Sequence, residues 1–443
     1  MSNSLEKRTM KSESKRVLKP NLRFPEFQAA PEWEYAPLGK LLMSSPDYGV
    51  NAAAVPYSED LPKYLRITDI SDEGVFLNEK RCSVDLKPTD QNYLEEGDIV
   101  VARTGASVGK SYRYRKEDGR LVFAGFLIRF KPDRTKLVPT FLANFLTTTQ
   151  YWDWVAVTSA RSGQPGLNST EYSALDIPLP PNNAGAGDLS EQQKIADCLS
   201  SVDELIVAHD QKLDTLKTHK KGLMQQLFPR QGETLPRLRF PEFQDAPEWA
   251  EKNLEKLAQR GSGHTPSKTN PEYYNGGIKW VSLADSNRLD CGLISETEIK
   301  ISERGIENSS AVLHREGSVL VSRDAGVGKS AIMNSPMAVS QHFIVWNCDS
   351  RQLSNWFLYY LLQRMKPLFE RVAMGSTIKT IGLQFFIDLR VTVPLLPEQQ
   401  RIASCLSALD DLIAAQAQKL EALRTHKKGL MQLLFPSPEE GEA

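Results

Sequence analysis

The sequence predicts an α+β chain: two mixed α/β modules and two very long helices packed as an antiparallel coiled coil, built as an internal pseudo-twofold repeat. Three observations predict it. Residues 189–229, LSEQQKIADCLSSVDELIVAHDQKLDTLKTHKKGLMQQLFP, recur at 396–436 as LPEQQRIASCLSALDDLIAAQAQKLEALRTHKKGLMQLLFP, displaced by 207 positions. A shorter element, RFPEFQAAPEW at 23–33, recurs as RFPEFQDAPEW at 239–249 and differs only at Ala29 against Asp245. Between these frames lie short alternating apolar runs bounded by polar turns, the pattern of β-strands.

The long repeat carries a helical seam. Ile195, Leu199, Val202, Ile206, His209, Leu213, Leu216, Lys220, Leu223 and Leu227 fall alternately four and three apart, the spacing of a supercoiled helix. The second copy runs Ile402, Leu406, Leu409, Ile413, Gln416, Leu420, Leu423, Lys427, Leu430 and Leu434, so its polar interruptions fall at matching positions. A polar seam residue fixes register at a cost in stability. Glu191 and Glu398 give each helix an acidic first turn, while Pro229 and Pro436 stop it. At about 1.5 Å per residue such helices reach roughly 55 to 60 Å. Alone, each would leave an apolar seam in water, so the expected partner of one copy is the other.

The chain divides in series. A basic tail over 1–20 precedes a module over 21–188, a helix over 189–229, a linker over 230–236, a module over 237–395, a helix over 396–436 and an acidic tail over 437–443. The two modules are less alike than their frames, yet anchors survive. KYLRITDIS at 63–71 aligns with KWVSLADSN at 279–287, and EGDIVVARTG at 96–105 with EGSVLVSRDA at 316–325. Further strands are expected at LVFAGFLIRF and AVSQHFIVW, and helices over 139–156 and 354–372. One ancestral scaffold with two diverged surfaces implies two ligands, or two parts of one.

Composition sets outer limits. A length of 443 residues exceeds one ordinary core. No apolar run approaches the roughly 20 residues that span a bilayer, and the first residues have no signal-peptide core, so a cytoplasmic protein is expected. Cys82, Cys198, Cys291, Cys348 and Cys405 are odd in number and form no C-x-x-C pair, which argues against a disulfide framework or a zinc site. With a formal net charge of -1, any nucleic-acid surface has to be local.

Motifs for catalysis fail on spacing. TGASVGKS and AGVGKS end like phosphate-binding loops, but the glycine five residues before Gly-Lys is replaced by Thr104 and Arg323. Asn270-Pro271-Glu272-Tyr273 resembles the Asn-Pro-Pro-Tyr of amino-group DNA methyltransferases, with Glu272 in place of the second proline. Contacts to DNA fit better. Arg103 and Lys110 in the first half, and Arg323 and Lys329 in the second, sit on turns that could reach a base edge or a phosphate. In SYRYRK, Tyr112 and Tyr114 alternate with Arg113 and Arg115, so a strand separates aromatics from guanidiniums. The glycine-rich loop over 159–168 offers Arg161, Gln164 and Asn168, and its counterpart offers Thr377, Lys379 and Thr380.

Taken together, the two halves, the two helices and the phrases EQQKIA, THKKGLMQQLFP, SGQPGL and the GxTPS of Gly263 to Ser267 resemble the specificity subunits of type I restriction-modification enzymes. The resemblance covers nearly everything from residue 21 to 436. It implies that the modules are two target-recognition domains spaced by the paired helices, and that the chain binds double-stranded DNA without catalysing a reaction. It implies as partners two methyltransferase subunits, which carry S-adenosylmethionine, and motor-nuclease subunits, which use ATP and Mg; this chain itself is expected to bind no cofactor and no metal. Gln341 and His342 of SQHFIV become DNA contacts; the first half has no Ser-Gln there. Seam residues face each other, leaving Leu205 and Leu412 to meet a partner subunit. The alternatives are a single-chain methyltransferase or nuclease, which needs a motif not found here, and a protein-binding scaffold.

Overall fold

The computed structural model describes residues 18–71, 74–161, 163–181, 188–375 and 379–436. The expected acidic tail, nearly all of the basic tail, and Thr377 lie outside them. The chain forms two compact units, Met1–Ala208 with Leu420–Ala443, and His209–Lys419. This differs from the serial division expected from the sequence. Each unit takes the start of one long helix and the end of the other, because each module packs on both.

One uninterrupted helix covers Ser190–Leu227 and another Leu396–Leu434. Every apolar seam residue named above is buried or half-buried, whereas Leu205 and Leu412 are 50% and 55% exposed. The polar seam positions find partners. In the first unit Lys427 Nζ donates to Asp203 Oδ2 (2.8 Å). In the second, Lys220 Nζ donates to Asp410, whose other oxygen accepts from the Tyr360 hydroxyl (2.8 Å). These are repeat equivalents, so the same ion pair is made once in each unit with the helices exchanged. In the second unit Gln416 Nε2 also donates to the His209 carbonyl (2.8 Å). A lysine in an apolar seam is tolerated here because a carboxylate meets it.

Each short repeat turns out to be one half of a fastening whose other half is the first turn of a long helix. Arg23 Nε and Nη2 donate to the two oxygens of Glu191 (2.8 and 2.7 Å), Arg23 Nη1 donates to the carbonyls of Ala30 and Pro31, and Trp33 Nε1 donates to Glu191 Oε1 (3.3 Å). The second unit repeats this with Arg239, Glu398, Ala246, Pro247 and Trp249. A paired, forked contact of this kind is the geometry that guanidinium and carboxylate share. The next residue, Gln192, accepts from Val138 N (2.9 Å), and Gln399 accepts likewise from Ser354 N (2.9 Å), tying the module's own helices to the same spot. The Glu-Gln pair of each long helix is therefore a joint between frame and module.

The far ends of the helices enter the cores. Phe435 packs near Trp33 and Phe141, with ring centroids 6.4 and 5.0 Å away, while Phe228 packs near Trp249 and Phe357 at 6.2 and 5.3 Å. Leu227 and Leu434, assigned to the seam by their spacing, also join these module cores.

Both modules share one sheet plan. In the first, Asp47–Tyr48, Leu127–Phe130, Ile99–Ala102 and Ser111–Arg113 form an antiparallel sheet in that order. In the second, Ala258–Ser262, Phe343–Cys348, Val319–Ser322 and Ser330–Met333 do the same, with Leu293–Ile294 added at the edge. A smaller sheet stands beside each, containing Lys63–Leu65 in parallel with Leu121–Phe123, or Tyr274–Val281 in parallel with Ala338–Val339. The helix expected over 139–156 is two, Pro139–Phe145 and Thr149–Thr158, because Thr148 caps the second by accepting from Tyr151 N. In the second module one helix covers Asn355–Val372.

Candidate nucleic-acid interface

The shared sheet fixes which loops correspond. Arg103 N donates to Phe126 O (3.0 Å) and Leu167 N to Arg103 O (2.8 Å); in the second unit Arg323 N donates to His342 O (2.9 Å) and Ile381 N to Arg323 O (2.9 Å). Arg103 and Arg323 thus occupy one position, and Phe126 and His342 another. Val50 N bonds Phe123 O (2.9 Å) as His264 N bonds Val339 O (3.0 Å), which matches the loop after Tyr48 with the GxTPS loop. That loop needs glycine: a Cβ on Gly263 would stand 1.8 Å from Val339 O, and one on Gly49 would stand 2.2 Å from Phe123 O.

In the second unit four segments distant in sequence converge. The Thr265 hydroxyl donates to Gln341 Oε1 (2.5 Å), and Gln341 Nε2 lies 3.5 Å from His342 Nε2. His342 Nδ1 meets Asp324 Oδ2 at 2.7 Å, while the other Asp324 oxygen accepts from the Thr380 hydroxyl. Arg323 Nε donates to Ile381 O (3.0 Å), and Lys379 and Gln341 are exposed beside this chain of bonds. The first unit is built differently at the same place. The Arg103 guanidinium lies 4.8 Å from the Tyr48 ring centroid, and the Tyr48 hydroxyl accepts from Ser169 N (3.1 Å). Gly125 replaces Gln341, and Phe126 stands 60% exposed where His342 is.

Other sequence candidates have local duties. Lys110 Nζ reaches Ile70 O (3.5 Å) and Lys329 Nζ reaches Ser286 O (2.8 Å), so both lysines tie their turn to the loop that follows Lys63–Leu65 or Tyr274–Val281. Tyr112 and Tyr114 do share one face of a strand, but it is the buried one. Arg113 is half-buried on the other side, and burial, followed by the neighbouring Arg115 charge, holds its guanidinium below its ordinary range. Arg115 pairs with Asp118 (3.1 Å) and Glu117 (3.4 Å). Arg161 is exposed and pairs with Glu171, whereas Asn168 caps the helix Ser169–Ser173 by accepting from Glu171 N (2.9 Å). Gln164 is exposed near Gly105, whose Cβ would come 2.9 Å from Gln164 Nε2. Asn270 likewise caps its own short turn by accepting from Glu272 N (3.1 Å). Tyr48, Thr265, Asp324 and Phe126 stand at the same places and were not singled out by the sequence. Thr265 lay inside the GxTPS phrase, but only the hairpin register brings it to Gln341.

Among the described residues no group of three or more His, Cys, Asp or Glu could hold a metal ion, and no helix is long and apolar enough to cross a membrane. Two modules of one plan that present unlike loops at the same place are the arrangement of a recognition protein rather than of one catalytic centre. The type I restriction modification DNA specificity domain matches residues 62–218 and 247–425, and the chain belongs to that family. It is a DNA target-recognition subunit, not an enzyme in itself. It is 22% identical over 426 residues to the type I restriction enzyme MjaVIII specificity subunit of Methanocaldococcus jannaschii, covering 94% of this chain and 93% of that one. It is 24% identical to the EcoR124I/EcoR124II specificity subunit of Escherichia coli over 61% of this chain and 66% of that one. The fold is shared with the type I restriction-modification S subunit from M. genitalium, with a TM-score of 0.59 at 15% identity over 95% of this chain and all of that one. A chain from a structural study of type I complex assembly and conformational transition has a TM-score of 0.55 at 18% identity, over 92% of this chain and 98% of that one.

Proposed function

We propose that the chain grips a bipartite, asymmetric double-stranded DNA target, each half-site read by one unit, and so directs adenine methylation and restriction by partner subunits. The observation that carries this reading is the pair of equivalent loop clusters with unlike side chains, Arg103, Phe126 and Tyr48 in one unit and Arg323, Gln341 and His342 in the other. Two methyltransferase subunits bring S-adenosylmethionine, motor-nuclease subunits bring ATP and Mg, and this chain brings the sequence information. The complex works in the cytoplasm. The long helices pair as an antiparallel coiled coil and set the length of the unread gap; the exchanged Lys-Asp pairs support that pairing.

A mobility-shift assay on random duplexes, with and without the methyltransferase subunits, tests the reading: sequence-dependent retention is expected, and retention blind to sequence contradicts it. Arg323→Ala should weaken binding of one half-site by roughly 1 to 3 kcal/mol if its two remaining nitrogens contact a base. An equal loss on every duplex assigns Arg323 to the phosphates instead. Leu205 and Leu412 are repeat equivalents and both exposed, as two copies of one partner require. Leu412→Asp should therefore lower the number of methyltransferase subunits that co-purify with the chain. Wild-type stoichiometry in that variant removes this face from the interface.

A further inference from the structure

We propose that Gln341 reads an adenine in the half-site bound by the second unit, with its amide held in one orientation by His342 and Asp324. The inference rests on the DNA-reading function above and adds the base and the side chain. Asp324 is an acceptor on both oxygens, one taken by the Thr380 hydroxyl and the other facing His342 Nδ1 at 2.7 Å. A carboxylate there places the ring proton on Nδ1. With that tautomer Nε2 accepts, and the group it faces, 3.5 Å away, is the NH₂ end of the Gln341 amide. The oxygen falls on the opposite side, where the Thr265 hydroxyl donates to it at 2.5 Å.

An amide fixed in this way keeps one lone pair on Oε1 and one hydrogen on Nε2 for a base, and the residue is exposed. That acceptor and donor pair complements N6–H and N7 of adenine in the major groove, and it does not fit guanine, whose N7 and O6 both accept. A free glutamine could turn over and lose this discrimination, so His342, Asp324 and Thr265 are positioning residues. The first unit has Gly125 and Phe126 at these positions and cannot make the contact, so the adenine reader belongs to one half-site only.

The test uses the full chain assembled with its methyltransferase subunits and a pool of duplexes with randomised positions, sequenced after selection. Wild type should select a bipartite motif. In Gln341→Ala one A·T position of one half-site should relax, with a loss of about 5- to 150-fold in preference there, the range of a bidentate base contact. The other half-site should stay unchanged. His342→Ala should relax the same position in part while leaving affinity for unrelated DNA as it was. A wild-type motif that survives Gln341→Ala, or relaxation at a G·C pair, overturns the adenine assignment while DNA reading stands. A wild-type chain that selects no motif overturns both.

Discussion

Glu191→Ala is expected to cost the first unit about 3 to 5 kcal/mol, the penalty for removing one partner of a buried ion pair. Arg23 and Glu191 have side chains 6% exposed, so the guanidinium left behind keeps two carbonyl partners but loses its counter-charge. Trp33 Nε1 loses its acceptor in the same step. Urea unfolding followed by Trp fluorescence should show the first unit unfolding early while the second, held by Arg239 and Glu398, unfolds at its usual midpoint. The neighbouring pair of Glu26 and Lys194 is a contrast: its side chains are 46% and 50% exposed, and Glu26→Ala should leave the midpoint almost unmoved. If the two variants behave alike, the repeated Arg-Trp-Glu joint does not hold module to frame.

The second large effect is on the DNA motif. Inserting four residues after Lys212 and after its equivalent Lys419 lengthens each helix by about 6 Å, or roughly one to two base pairs at 3.4 Å per pair. Four residues are close to one turn, so the seam rotates by only about 40° and the coil absorbs it as a stutter. The insertion points spare both ion pairs: Asp203 and Lys427 stay with the first unit, and Lys220 and Asp410 with the second. The contact of His209 with Gln416 is parted. The expected outcome is two unchanged half-sites with a longer unread gap. A gap of the old length with full activity would show that the helices do not act as the ruler.

The frame was legible in the sequence because helix burial has a period. Ile195, Leu199, Ile402 and Leu406 are buried, as the seam spacing requires. The spacing could not say that these four, like Leu227 and Leu434, also join the module cores, since an apolar residue at the right interval satisfies either environment. The joint was half legible: Arg23 and Glu191 each sit in a repeated phrase, but nothing local links residues 168 positions apart. The reading loops were the least legible. Arg323 was a candidate by residue type and Gln341 by the family resemblance, whereas Asp324, Thr265 and Phe126 stand out only once hairpin register brings distant segments together. Tyr112 and Tyr114 show the converse: alternation was right, but a strand's pattern cannot tell which face is the core.

Reading of a bipartite target by this chain is tested by the methylome of cells that carry the partner methyltransferase subunits, sequenced with and without the chain. A bipartite motif with an unread gap and a methylated adenine in each half-site is expected, present only when the chain is expressed. A motif that persists without the chain, or a contiguous one with no gap, would contradict such reading.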